Sequence, residues 1–109
     1  MRSDEVFSIL GITQKAGKLI SGLDCVERSV NANKVFLIIM SKDTSGNTQK
    51  KIKELSTRKN VAMISWGNSD ELGRAIGKKK RKVIGITDKG IAKEIFRRIN
   101  LLTGVGDID

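Results

Sequence analysis

Six consecutive apolar residues, Val35-Phe-Leu-Ile-Ile-Met40, sit between the polar stretch that ends at Lys34 and a polar turn from Ser41 to Asn47. A strand with one wet face alternates apolar and polar residues, whereas an unbroken run of this length reads as a strand buried on both sides. Such a strand needs cover above and below, and the flanking sequence has the periodicity to provide it. Ser3 is the predicted cap of a first helix, with Asp4 and Glu5 in its opening turn and Val6, Ile9 and Leu10 as its buried stripe up to about Ala16. Lys18 to Ile20 is a short strand candidate, and a second helix is expected from about Gly22 to Ala32, burying Leu23, Val26 and Val30. A third helix runs on to about Lys59 with Ile52 and Leu55 inward, followed by a strand from Val61 to Ile64. Ser69 is the predicted cap of a short helix through Leu72, Ala75 and Ile76 that Gly77 ends. After the strand Val83–Ile86, Asp88 caps a last helix that turns Ile91, Ala92, Ile95, Phe96 and Ile99 to the core. Alternating strands and helices predict a single α/β domain over residues 1–102, a three-layer α/β/α sandwich around a mixed sheet of about four strands. Residues 103–109 are expected to fray, and no internal repeat, linker or proline marks a second domain.

Charge narrows the function. Twenty-one Lys and Arg against 12 Asp and Glu leave a formal charge of +9, which draws a chain towards polyanions. A membrane is the weaker candidate, because no apolar run approaches the roughly 20 residues of a spanning helix. The N-terminus lacks a basic region followed by an apolar stretch, and one cysteine forms no internal disulfide, so the cytoplasm is the expected compartment. Histidine is absent, so neither a zinc-ligand set nor a Cys-His nucleophile can be assembled around Cys25. The stretch Gly11-Ile-Thr-Gln-Lys-Ala-Gly17-Lys18-Leu19 has five residues between its glycines where a nucleotide-binding P-loop has four, and leucine stands in place of the magnesium-binding hydroxyl. Asp43 and Asp88 read as turn and helix-cap residues. No catalytic residue, cofactor or metal is expected.

The segment from Lys15 to Arg28 reads as an anion cradle. Gly17 and Gly22 allow close backbone approach, Ser21 or Gly22 caps a helix whose free amides face an anion, and Lys15, Lys18 and Arg28 surround it with positive charge. Lys78-Lys-Lys-Arg-Lys82, comprising Lys78, Lys79, Lys80, Arg81 and Lys82, is the densest basic run. It is expected in a loop, where its self-repulsion is relieved by a polyanion, although nuclear targeting is another reading of such a run. Lys50, Lys51 and Lys53 with Arg58 and Lys59, and likewise Lys89, Lys93, Arg97 and Arg98, read as solvated helix faces. Of the aromatics, Phe7, Phe36 and Phe96 fall on predicted core stripes, leaving Trp66 as the one candidate stacking surface. Recognition through charge, backbone amides and loops suits structured RNA, and DNA is not the expected partner.

The order Lys15-Ala-Gly-Lys-Leu, Ser21-Gly22, Val35 to Met40, Ser41-Lys-Asp43-Thr-Ser-Gly-Asn47-Thr, then Glu71-Leu-Gly-Arg-Ala-Ile-Gly77 resembles the kink-turn-binding ribosomal proteins. More narrowly, it is similar to the bacterial YlxQ-like branch of the family that includes the archaeal proteins L-seven-Ae and L-thirty-e. The likeness spans about residues 4 to 100. It implies an α/β/α sandwich that binds a sharply bent RNA helix with tandem sheared G·A pairs, the start of the second helix entering the groove. The family's Gly-Thr-Asn-Glu-x-x-Lys motif falls on Gly22, Leu23, Asp24, Cys25, Val26, Glu27 and Arg28. Asp24 keeps an acceptor, Cys25 is a poorer and shorter one than Glu, and Arg28 replaces Lys with a different donor geometry. The family's second contact loop falls on Gly77 to Lys82, where cations replace apolar residues, so phosphate contact gains weight over base readout. The resemblance thus implies a noncatalytic RNA-binding protein, ribosomal or ribosome-associated. The alternative is an adaptor that docks on a translation factor or ribosome with incidental RNA contact.

Overall fold

The structure, a computed structural model, describes residues 3–103, apart from the side chain of Ser3. The predicted Ser3 cap and the tail beyond Thr103 lie outside the described residues. The elements run α1 (Ser3–Lys15), β1 (Leu19–Ser21), α2 (Leu23–Asn31), β2 (Leu37–Met40), α3 (Gly46–Lys59), β3 (Ala62–Ser65), α4 (Ser69–Ala75), β4 (Val83–Ile86) and α5 (Lys89–Thr103). The strands form one mixed sheet in the order β1-β4-β2-β3, with β2 parallel to β3 and β4 antiparallel to both β1 and β2.

The unbroken apolar run has the predicted cause. Successive residues of a strand point to opposite faces, and here both faces are dry. Leu37 and Ile39 of β2 join Ile84 and Ile86 of β4 in a core with Val6, Leu10, Leu72, Ile95 and Ile99 of α1, α4 and α5. Ile38 and Met40, with Val83, form the second core against Val26, Val30, Ile52 and Leu55 of α2 and α3. The molecule is therefore a three-layer α/β/α sandwich with its sheet in the middle. Each fully buried Leu or Ile contributes about 1.5–3 kcal/mol relative to exposure, so the central pair β2 and β4 anchors both layers at once.

Helix ends explain where the element boundaries moved. Each of α1 to α4 closes in the same turn: a left-handed residue (Gly17, Asn33, Asn60 or Gly77) follows the helix. The next amide then donates to the carbonyl five residues back, as in Lys18 to Thr13 at 3.1 Å, Lys34 to Ser29 at 2.9 Å, Val61 to Ser56 at 3.0 Å and Lys78 to Gly73 at 2.8 Å. Because the Lys18 amide is committed to that cap, β1 begins one residue later than the sequence predicts. The cap of α4 is Asn68 and not Ser69. The Asn68 side chain accepts from the Glu71 amide at 2.9 Å while the Glu71 carboxylate accepts from the Asn68 amide at 3.0 Å, a reciprocal capping box. Ser69, one residue inside the helix, is buried and donates to Asp43 through its amide (2.9 Å) and hydroxyl (2.7 Å). Asp88 caps α5 as predicted, accepting from the Ile91 amide at 2.9 Å.

Two aromatic assignments are corrected. Phe36 is 43% exposed and belongs to neither core, although its amide donates to the Ile86 carbonyl at 2.8 Å. Trp66 is only 8% exposed and unavailable for stacking. Its amide donates to the Met40 carbonyl, extending the β2–β3 pairing, and its ring packs against Phe7 with centroids 6.0 Å apart.

The chain between α4 and β4 doubles back along α4, which only a glycine at position 73 permits. A Cβ there would lie 1.8 Å from the Lys79 carbonyl oxygen, a backbone atom that cannot yield without moving the loop. Gly73→Ala is expected to cost about 1–3 kcal/mol in urea unfolding and to shift the amide resonances of residues 78–81. A second expectation concerns acid. Hydrogen bonds from the Ser69 hydroxyl, then from the Ser41 hydroxyl and the Ser69 amide, hold the Asp43 carboxyl at about 2 against an ordinary 3.8. A lowered folded-state value favours the fold while the group is ionised, so this stabilisation is present above pH 3.8 and disappears as the pH falls towards 2. Asp43→Asn should abolish that component, flattening the difference in unfolding midpoint between pH 5 and pH 2 relative to the parent.

Candidate nucleic-acid interface

Residues 21–22 and 78–82 are far apart in sequence, and the sheet makes them neighbours. β4 lies directly beside β1, with Ser21 opposite Ile84, and the Gly22 amide donates to the Val83 carbonyl at 3.0 Å. The loop entering β4 therefore arrives where α2 starts. Arg81 fastens the two: its Nε donates to the Ser21 hydroxyl oxygen at 3.1 Å, its amide to the Ser69 carbonyl at 3.0 Å and its Nη1 to the Lys80 carbonyl at 3.0 Å. Through Ser69 this anchor continues to Asp43, whose ionised carboxylate fixes the first turn of α4.

Gly22 starts α2 with φ 95° and ψ 143°, a backbone conformation that strains any residue with a Cβ. No side chain caps the helix, so its opening amides lack the oxygen that Ser, Asp or Asn provides elsewhere. The sequence offers Ser21 or Gly22 as the cap; Gly22 occupies the position, while Ser21 points its hydroxyl to Arg81. Asp24 and Arg28 are exposed one turn apart on α2, whereas Leu23 and Cys25 are half-buried, Leu23 against the α2–α3 core. Lys78, Lys79, Lys80 and Lys82 are exposed, and Lys78, Lys79 and Lys80 share a polar cleft with Asp70 and Arg74. Arg81 is half-buried with its guanidinium engaged, so its local role is that of a strut.

Lys15, Gly17 and Lys18 stand apart from this group. Leu19 is opposite Ile86 and the Lys18 carbonyl accepts from the Thr87 amide at 2.9 Å, which puts these residues at the end of β1 away from Gly22. Three residues of strand separate the two ends by roughly 10 Å. The single cradle read from the Lys15–Arg28 stretch is thus divided, with Gly17 closing α1 and Lys15, beside the exposed Ile12 on α1, lining a groove with Gly77. What sequence reasoning missed is the scaffold: Asp43, Ser69 and Gly73 carry no charge or spacing signal for binding, yet they set the position of the basic loop. A glycine inside the Leu72-Gly-Arg-Ala pattern was the one available sign, since glycine in a helix interior is unfavourable without a packing reason. Among the described residues, no group of three or more His, Cys, Asp or Glu could hold a metal ion, and no helix is long and apolar enough to cross a membrane.

The same fold occurs in known proteins. A solved structure of a protein with unknown function from Bacillus halodurans superposes with a TM-score of 0.85 at 33% identity, covering 88% of this chain and 97% of that one. The Giardia lamblia 15.5kD RNA binding protein shares the fold, with a TM-score of 0.77 at 21% identity over 92% of this chain and 88% of its own. In sequence, the chain is 33% identical over 96 residues to the RNA-binding protein YlxQ of Bacillus subtilis, covering 88% of this chain and 96% of the relative. It is also 33% identical over 90 residues to the Enterococcus faecium protein of that name, covering 83% and 86%. Residues 4–96 match the model of the ribosomal protein L7Ae/L30e/S12e/Gadd45 family. With nearly the whole fold inside that match, the chain belongs to the ribosomal protein L7Ae/L30e/S12e/Gadd45 family.

Proposed function

We propose that this protein is a noncatalytic RNA-binding protein that takes a structured, sharply bent RNA of the kink-turn type on the face shared by the start of α2 and the loop 78–82. The observation that carries this reading is the Arg81–Ser21 hydrogen bond, which docks a run of lysines beside an uncapped helix start. Family membership and the names of the two bacterial relatives support RNA as the partner. A ribosomal or ribosome-associated RNA in the cytoplasm is the setting that fits such a family.

The chemistry divides by position. The exposed ammonium groups of Lys78, Lys79, Lys80 and Lys82, with the Arg28 guanidinium, neutralise phosphates and displace counterions. The free amides at Leu23 and Asp24 donate to a phosphate or base oxygen at the positive end of the α2 dipole. Gly22 leaves the space above it open, with nothing within 4 Å of a Cβ position, so an RNA backbone approaches without obstruction. Asp24, an acceptor at the groove-facing turn, pairs with a guanine donor and gives the face its limited base discrimination. Lys15 and Lys18, beyond the other end of β1, lie outside this face.

Three measurements test this reading. Titrating a kink-turn RNA at 50–200 mM salt should give a log–log slope of about −4 to −5, reflecting the five exposed cations at about 0.9 per phosphate; a flat response would remove the electrostatic mechanism. Lys79→Ala with Lys80→Ala should weaken all RNAs alike and reduce that slope by about 2. Asp24→Ala should narrow the preference for an RNA with tandem G·A pairs over a fully paired control, by about tenfold for a contact of this kind. Equal binding of both RNAs by the parent protein would leave only general polyanion binding.

A further inference from the structure

At the other end of the sheet, away from Gly22 and the basic loop, lies a groove of about 480 Å³ between α5 and the starts of β2 and β3. Its walls are Phe36, Leu37, Ala62, Ala92, Phe96 and Leu101. The layer formed by α1, α4 and α5 stops short of β3, the edge strand, where Ala62 is exposed. Among the described residues, Phe36 at 43% and Leu101 at 45% are two of the three large hydrophobic residues that the fold leaves exposed, and both border this groove.

The surroundings indicate what would cover it. Lys89, Lys93 and Arg97 line the groove, and among the described residues no carboxylate does. Arg97 is shared with Glu94 at 2.7 Å, while Lys89 and Lys93 have no ion pair among the described residues. A cavity with apolar walls, few polar groups and a cationic rim matches an amphipathic protein segment with acidic flanks. Nucleic acid would bring phosphates to the rim and leave the apolar walls unused. A second copy of this chain would bring another net charge of +9 towards the same cations.

We propose that the groove between α5 and the β2–β3 edge is a protein-docking site for a segment that presents apolar side chains flanked by Asp or Glu. It is a second surface, independent of the RNA reading because it lies at the opposite end of the sheet. A protein able to hold RNA at one end and an acidic protein segment at the other joins the two.

The test uses three labelled 14-residue peptides and the full-length protein. One peptide carries leucines at helical spacing with glutamate flanks, the second the same leucines with lysine flanks, and the third alanines with glutamate flanks. In fluorescence polarisation the first should bind at least about tenfold tighter than either control, since both the anchors and the charges contribute. Amide shifts on its addition should centre on residues 36–37, 62, 89–93 and 96–101, leaving 22–28 and 78–82 unmoved. Phe36→Ala and Leu101→Ala should each weaken it by about fivefold or more, and Lys89→Glu with Lys93→Glu should invert the preference towards lysine flanks. These positions are exposed, so circular dichroism should match the parent. The proposal is overturned if the alanine peptide binds equally well, if the shifts centre on 22–28 and 78–82, or if oligouridylate, and not the first peptide, perturbs the groove. Concentration-dependent broadening of the groove resonances without peptide would assign the surface to a second copy and overturn it as well.

Discussion

The pairing of β4 between β1 and β2 is the constraint from which the rest of this molecule follows. β4 is buried on both faces, so it must lie inside the sheet, and its antiparallel direction brings its first residue to the end where β1 and β2 leave. Val83 meets Gly22, and the Lys82 carbonyl accepts from the Ser41 amide at 2.8 Å. One strand placement thereby gathers three loops at one edge of the molecule. Had β4 run parallel to its neighbours, the basic loop would have emerged at the opposite end, beside Lys18.

Density of charge in that loop is destabilising by itself, and the structure shows how it is held. Self-repulsion among adjacent lysines is opposed by backbone anchoring, with the Lys78 and Arg81 amides bonded to the Gly73 and Ser69 carbonyls along α4. Arg81, alone of the five, turns inward and spends its donors on Ser21 and Lys80. The geometry of arginine suits this, since its fork offers several donors in fixed directions where lysine offers a mobile point charge. Asp43 acts from further back: its ionised carboxylate orders Ser69, and the Ser69 carbonyl in turn receives Arg81. A preorganised cationic loop loses less entropy on meeting an anion than a disordered one. The uncapped start of α2 beside it complements that preorganisation, because amides left without a side-chain partner remain available to a ligand.

The two ends of the sheet differ in chemistry for a topological reason. At the Gly22 end, loops with polar backbone and lysines converge. At the Leu37 end, α5 and the β3 edge diverge, and apolar residues that would be core in a wider layer are left open to the surface. Phe36 illustrates the difference between hydrophobicity and burial: it belongs to the most apolar run of the chain, yet it is 43% exposed on the wall of the groove beside α5 while its neighbours Val35 and Leu37 are buried.

Periodicity alone determined the α/β/α class, the order of nine elements and most of the core, because strand and helix spacing are local properties and both faces of β2 must be dry. Local signals also located Asp88 and Gly77, since caps and turns depend on a few neighbouring residues, while they left the start of α2 open between Ser21 and Gly22. They misjudged Ser69, where Asn68 supplied a better reciprocal cap, and Trp66 and Phe36, whose exposure depends on what lies across from them. The Lys15–Arg28 stretch shows the limit most plainly: contiguous in sequence, it is split by β1 into two separated sites, while residues some 60 positions apart meet through Ser21 and Arg81. Residue spacing does not encode that contact: the family resemblance pairs the start of α2 with the Gly77–Lys82 loop, and the tertiary structure alone decided how they join, because proximity across a sheet is set by strand order and direction.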